Sequence, residues 1–228
     1  MVKILYALKT TKKYQSRINS VLETWLSGCN DYVFYSDHED LKNNVILSSH
    51  DSSYEGLVDK SLYFFNNLGN IFLIDKDHSI IDYYDWILVC DDDTFVNRQM
   101  VEKFLHECDD SQAYCEVISP QKSPGNYIWT EYSNILRKDD CYYSGGAGIL
   151  ISTKSIKKIN KFLDYGMRFE DATIGITLNR NGIKLVDCPL FKSQPPEFWG
   201  QSDKDIIDNI TYHHISEDRM YKLYEYVK

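Results

Sequence analysis

The chain predicts an α/β fold: a mainly parallel, twisted sheet flanked by helices. Two observations carry this. Short apolar runs of the kind that form buried strands recur along the sequence, and segments with apolar residues at helical spacing lie between them. Such alternation places helices on both faces of a sheet and ligands at the carboxyl ends of its strands.

The expected strands are 3–8, 32–35, 45–47, 86–90, 113–118, 147–151 and 184–186. Ile18, Val21, Leu22 and Trp25 recur at helical spacing, as do Met100, Val101, Phe104 and Leu105 behind a capping Asn97. Ser152 caps a further helix carrying Ile156, Ile159 and Phe162. Segments 119–138 and 193–202, with their prolines and aromatics, read as long irregular excursions. At 228 residues the chain is long enough for one sizeable core, so residues 1–228 are expected to form a single domain. A net charge of −9 and the lack of a basic cluster with interleaved aromatics argue against nucleic acid as a partner. The six cysteines include no Cys-x-x-Cys pair, which argues against a zinc ribbon; Cys90 and Cys188 sit in apolar runs and are expected to be buried, reduced thiols.

The most informative stretch is the strand Trp86-Ile87-Leu88-Val89-Cys90 leading into Asp91-Asp92-Asp93. Three adjacent carboxylates repel, and a divalent cation is the simplest partner that would gather them. In extended chain Asp91 and Asp93 face one crevice while Asp92 turns away. Carboxylate oxygens suit Mg²⁺ or Mn²⁺, often shared with substrate phosphates. The competing reading is a solvated acidic loop that caps a helix.

Three further segments carry chemistry. Gly145, Gly146 and Ala147 stand before a strand, where missing side chains let a ligand approach the backbone; a plain turn fits equally well. Glu170 and Asp171 begin a helix, as catalytic carboxylates or as charges complementing its dipole. His213 and His214 lie near the C-terminus. Thr10, Thr11 and Arg17 follow the first strand and Asp37 the second, at the carboxyl ends where ligands bind in this architecture. Trp129, Phe198 and Trp199 offer ring faces for an acceptor sugar, or simply anchor their loops.

Taken in order, these segments resemble the β-1,3-glycosyltransferases that include the Fringe proteins and the core 1 galactosyltransferases. The resemblance begins at Arg17 through Thr24-Trp25 and continues through Phe34-Tyr35-Ser36-Asp37 and the Asp triplet. It then takes in Ser144-Gly145-Gly146-Ala147-Gly148 and Glu170-Asp171-Ala172-Thr173-Ile174-Gly175. It closes with Tyr212-His213-His214-Ile215-Ser216, which is most similar to the core 1 branch.

The resemblance implies a GT-A-type nucleotide-sugar-binding fold and an inverting, metal-dependent transfer of a hexose from a UDP-sugar to a sugar hydroxyl, with a β-1,3 linkage. It implies Asp93 and His213 as ligands of Mn²⁺ or Mg²⁺. Asp91 is a further ligand candidate; Asp91 or Asp92 would otherwise hold ribose or sugar hydroxyls, or a metal-bound water. It places the general base on Asp171, with Glu170 as runner-up, brings Lys60 toward the diphosphate and lets Asp37 accept from uracil or ribose; surface solvation is the other reading of Thr10, Thr11, Arg17, Asp37 and Lys60. His214 matches an aromatic position of the family. The acceptor would be a glycan or glycosylated molecule.

The alternatives are an inactive nucleotide-sugar or glycan-binding module and, from the triplet alone, a metal-dependent phosphohydrolase or nucleotidyltransferase. The first apolar run is too short to be a signal-peptide core or a transmembrane segment. A strand so close to Met1 is expected of a cytoplasmic enzyme of bacterial or viral type, the alternative being a Golgi-lumenal enzyme whose anchor was removed.

Overall fold

The structure is a computed structural model that describes residues 2–49, 51, 53–54, 56–73 and 77–228. In chain order its elements begin with β1 (Ile4–Lys9), α1 (Gln15–Glu23), β2 (Tyr32–Ser36), β3 (Val45–Leu47), α2 (Gly56–Asn67) and α3 (Ile80–Tyr83). The middle of the chain forms β4 (Trp86–Asp91), β5 (Phe95–Val96), α4 (Arg98–Leu105), β6 (Gln112–Cys115), β7 (Val117–Ile118) and α5 (Ile128–Glu131). It continues through β8 (Tyr142–Tyr143), β9 (Ile149–Ser152), α6 (Thr153–Ile156), α7 (Glu170–Arg180), β10 (Lys184–Asp187), β11 (Phe191–Lys192), β12 (Thr211–Tyr212) and α8 (Glu217–Val227).

The main sheet has the order β10-β6-β9-β4-β1-β2-β3 and is parallel except for β9, which runs antiparallel to both neighbours. Alternation along its central strands sorts two cores. Tyr6, Leu8, Leu88 and Cys90 face Ile18 and Val21 of α1 and Met220 and Leu223 of α8. Leu5, Ala7, Ile87 and Val89 face Phe64 and Phe65 of α2 and Ile174 and Leu178 of α7. Each of these fully covered aliphatic side chains is worth about 1.5–3 kcal/mol of burial.

That parity determines what stands at the strand ends. Lys9 and Asp91, which are register partners, continue the face covered by α7. Asp92 lies on the other side, toward α1, where Arg17 meets it. A small sheet of β11, β12 and β5 pairs Tyr212 with Phe95. It thereby carries the C-terminal histidines back to the triplet.

Three expectations change in detail. The strand expected over 113–118 breaks after Cys115, because the backbone N–H of Val117 turns to Asp187 Oδ1 (2.9 Å) and the Glu116 carbonyl accepts from Ser144. Ser152 does cap α6, accepting from the N–H of Ser155, but the helix ends at Ile156. Ile159 and Phe162 still reach the core, in irregular chain whose Phe162 backbone is held at both polar groups by the Asn66 amide. Trp25 lies beyond α1 yet packs edge-on against Tyr6. Cys90 and Cys188 are buried, and the Asn97 side chain caps α4 by accepting from Met100 N–H. Among the described residues no helix is long and apolar enough to cross a membrane.

Candidate active site

At the carboxyl end of β4 the three aspartates take three different partners. Asp92 is buried; it accepts from the Thr10 hydroxyl (2.6 Å) and from Arg17 (3.0 Å). Burial pushes its carboxyl up to about 6 against the pull of those two donors. Asp93 meets Arg17 (3.1 Å) through one oxygen and His213 Nε2 (3.1 Å) through the other. Asp91 lies 3.5 Å from the same His213 nitrogen and 2.8 Å from Lys9 Nζ. Asp91 and Asp93 thus converge on one imidazole while Asp92 turns to α1.

His213 is set by its neighbours. Ile215 N–H donates to the Asp93 carbonyl (2.9 Å), and the hydroxyls of Thr94 and Thr211 donate to the carbonyls of Gly146 and Ala147 (2.7 Å each). These bonds tie the triplet, the glycine turn and the His-His segment into one corner. Burial opposes protonation of His213, but its bond to Asp93 and the charges of Asp91 and Asp93 raise its pKa. Burial likewise works to raise Asp93, and His213 and Arg17 outweigh it, so that carboxyl stands below its ordinary range.

His214 has a left-handed backbone (φ 58°), which costs a non-glycine residue about 1 kcal/mol. Its ring stacks on His213 at a centroid distance of 3.7 Å. Burial and the neighbouring His213 charge lower its pKa.

One donor atom each from Asp93, His213 and His214 lie within 4.8 Å of one another. A carboxylate and two imidazoles so close suit one divalent ion of intermediate softness, and thus fit Mn²⁺ better than Mg²⁺. An open cleft of about 520 Å³ adjoins this group, lined also by Arg17 and Ser216. Arg17 lies over the Tyr14 ring (4.1 Å), which fixes its guanidinium beside the cleft.

A second corner lies at the start of α7. Asp171 accepts from the backbone N–H of Gly145 (3.0 Å) and of Ala172 (2.7 Å). Burial and the adjacent Glu170 charge push its carboxyl up to about 7, with Lys9 opposing. Glu170 is bound differently, through a short ion pair with Lys9 Nζ. Sequence alone does not distinguish Lys9, since a lysine at a strand end resembles an ordinary solvated terminus. It is 3% exposed and joins Asp91 to Glu170, linking the two corners.

The glycines make room for these side chains. A Cβ on Gly146 would stand 2.1 Å from His213 ring atoms, and one on Gly145 would stand 2.8 Å from Glu170 Oε1 and 3.2 Å from Lys9 Nζ. The close approach expected of a ligand is therefore made by the protein's own functional groups. Ala147 is fully buried, its side chain packed in the core. Gly146→Ala should displace the His213 ring and weaken Mn²⁺-dependent UDP binding at least tenfold by calorimetry, with an overpacking loss of about 1–3 kcal/mol. Unchanged binding would show that His213 takes no part.

The remaining candidates are placed as follows. Asp37 accepts from Thr11 Oγ1 (2.9 Å), Lys12 N–H (2.8 Å) and Ser36 Oγ (3.0 Å). Burial opposes these bonds, which nevertheless hold its carboxyl down to about 2. Its hydrogen bonds therefore brace the turn after β1. Lys60 is not a solvated surface residue: it is 1% exposed, points at the Thr10 carbonyl (3.4 Å), and burial lowers its pKa. Phe198 and Trp199 are exposed on a 3-10 turn, and Trp199 Nε1 donates to Gln194 (3.2 Å) next to Ser193, whose carbonyl faces His213 Nδ1 (3.3 Å). Trp129 packs separately, against Tyr142 in the small cluster that includes Ala172 of α7.

A mostly parallel sheet thus carries two acidic corners at its carboxyl edge. The chain matches the Fringe-like family over residues 1–223 and belongs to that family. Its fold is similar to galactosyltransferase LgtC, solved with donor and acceptor sugar analogues, at a TM-score of 0.54 and 13% identity; the match covers 98% of this chain and 96% of that one. It is also similar to a glycosyltransferase involved in glycosylation of the major capsid of PBCV-1, at a TM-score of 0.53 and 12% identity, covering 97% of this chain and 98% of that one. Family and fold together make this protein a glycosyltransferase.

Proposed function

We propose that residues 1–228 form one catalytic unit that moves a hexose from a UDP-sugar to a hydroxyl of a glycan or glycosylated acceptor, with inversion and through a β-1,3 linkage. The observation that supports this most directly is the pairing of two unlike corners: a carboxylate and imidazole donor group, and an Asp171 carboxyl raised to about 7.

Asp93 and His213 would hold Mn²⁺ (or Mg²⁺), and a His214 donor atom lies within 4.8 Å of theirs. When bound, that ion supplies charge stabilisation to the departing diphosphate. Arg17 lines the same cleft and offers a guanidinium to phosphate oxygens. Thr10 and Lys60 brace the nucleotide end, Asp91 orients ribose or sugar hydroxyls, and the buried Asp92 holds Thr10 and Arg17 in place. Gly145 presents its backbone N–H to Asp171 and holds that carboxylate in place.

Asp171 takes the proton of the acceptor hydroxyl as its oxygen attacks the anomeric carbon and the bond to the diphosphate oxygen breaks. A single displacement of this kind inverts configuration. A group with a pKa near the working pH is a good proton acceptor for this step. Phe198 and Trp199 offer exposed ring faces to the acceptor, with Trp129 behind the start of α7.

UDP-galactose, UDP-glucose and UDP-N-acetylglucosamine, each incubated with the protein, test the reading without an acceptor. One of them should be hydrolysed slowly to UDP and free sugar, with Mn²⁺ at least as effective as Mg²⁺. Release of UMP or pyrophosphate would indicate phosphohydrolase or nucleotidyltransferase chemistry instead. Ca²⁺ as the best activator would count against imidazole ligands.

A further inference from the structure

Lys9 is the group that joins the two corners. Its ammonium is buried, 2.8 Å from Asp91 Oδ1 and in a short ion pair with Glu170 Oε1. The Cβ position of Gly145 lies 3.2 Å from the same nitrogen and 3.1 Å from Asp171 Cβ. Lysine, glutamate and aspartate are therefore packed around one missing side chain. We propose that Lys9 is the positioning residue that decides which of the two adjacent carboxylates serves as the base: it binds Glu170 and leaves Asp171 free to exchange its proton.

The physical argument concerns charge in a confined space. Two neighbouring carboxylates, Glu170 buried and Asp171 half-buried, cannot both ionise cheaply unless a cation compensates one of them. Lys9 pairs with Glu170 through a direct contact, whereas Asp171 is held by two backbone N–H groups. Donors of this kind fix the orientation of Asp171 without neutralising it. Lys9 also lowers the cost of ionising Asp171 through space, while Glu170 raises it. The other titratable groups facing this pair are Tyr35 from β2, Tyr54 ahead of α2, and Tyr142 and Tyr143 from β8. Burial raises all four tyrosines, so they stay neutral near pH 7, and Lys9 is the cation bound to Glu170.

The inference rests on the reading of Asp171 as base, and the test separates the two. The Asp171 carboxyl is followed by NMR in protein with ¹³C-labelled aspartate, its signal assigned by its loss in Asp171→Asn. Lys9→Met should raise its titration midpoint by at least about one pH unit. Glu170→Gln should lower it, and the double variant Lys9→Met/Glu170→Gln should bring it back to within about half a unit of the parent. Melting temperature is measured alongside. The double variant should also recover part of the stability lost in Lys9→Met, since it removes Glu170, the more buried of the two carboxylates that lose the ammonium; Asp91 is the other.

Mn²⁺-dependent UDP-hexose hydrolysis should follow the titration, with its acidic limb displaced in Lys9→Met and restored in the double variant. A Lys9→Met protein that melts lower but titrates like the parent would overturn the proposal and leave Lys9 as packing. So would a double variant whose midpoint stays with the single one. Should Lys9→Met fail to fold, the double variant and Glu170→Gln still give the decisive comparison. If the midpoints move as stated but Asp171→Asn keeps full activity, the proposed base is wrong while the control by Lys9 stands.

Discussion

Asp171→Asn should reduce sugar transfer by roughly 10²–10⁴-fold, the usual worth of a positioned general base. UDP and Mn²⁺ should bind nearly as in the parent, because Asp171 belongs to the α7 corner and the proposed ligands Asp93 and His213 belong to the other. The substitution keeps the side chain's shape and one acceptor oxygen for the Gly145 N–H. It removes the ability to take a proton. Glu170→Gln should retain far more activity, since Glu170 is bound to Lys9. If instead Glu170→Gln is the inactive variant, the base is Glu170; if both transfer normally, no carboxylate at this helix start acts as base.

The pH dependence has a definite sign. Asp171 must be ionised to accept a proton, so transfer by the parent should decline as pH falls through about 7, the value to which burial and Glu170 raise it. Stability moves the other way. A carboxyl with a raised folded pKa binds more protons folded than unfolded, so between about pH 4 and 7 its contribution becomes less favourable as pH rises. Asp171→Asn should therefore melt higher than the parent near pH 8, by scanning calorimetry, with the difference fading toward pH 4. A base that is costly in the ground state is the usual form of a group tuned for function.

Most of this site can be read in the chain because strand parity and motif order carry it. The run from Trp86 to Cys90 defines the strand, and the strand's end places the triplet. The Asp91 and Asp92 division follows from alternation alone. Lys9 escapes such reading, since its burial arises only when β1 and β4 pair in register and α7 closes over their ends. Gly145 and Gly146 illustrate a related limit: two glycines announce a close approach without saying what approaches, and it is Lys9, Glu170 and His213 that do so. Likewise, the acceptance of three hydrogen bonds by Asp37 depends on the fold of the turn after β1, so its bracing role has no trace in local sequence. The helix expected to carry Ile159 and Phe162 shows tertiary hydrogen bonds from Asn66 replacing those of a helix at similar apolar spacing.

The largest loss of nucleotide binding is expected at the metal corner. Asp93→Ala should abolish most Mn²⁺-dependent affinity for UDP, because it removes the carboxylate of the donor group and leaves Arg17 and His213 each without one partner. His213→Ala should be nearly as damaging. It removes the imidazole on which Asp91 and Asp93 converge, and it empties the space that Gly146 provides. His214→Ala is the discriminating case. Resemblance gives this position to an aromatic residue, which predicts the smallest loss of the three. The left-handed backbone and the stacked ring, however, place its donor atom within 4.8 Å of the other two. Titration of each variant with Mn²⁺ and UDP by calorimetry should rank the losses Asp93 and His213 first and His214 last. In His214→Phe, which keeps an aromatic ring on His213, affinity should return close to the parent value if stacking is the role of this residue. A His214→Phe protein that binds Mn²⁺ as poorly as His213→Ala would instead make His214 a ligand in its own right.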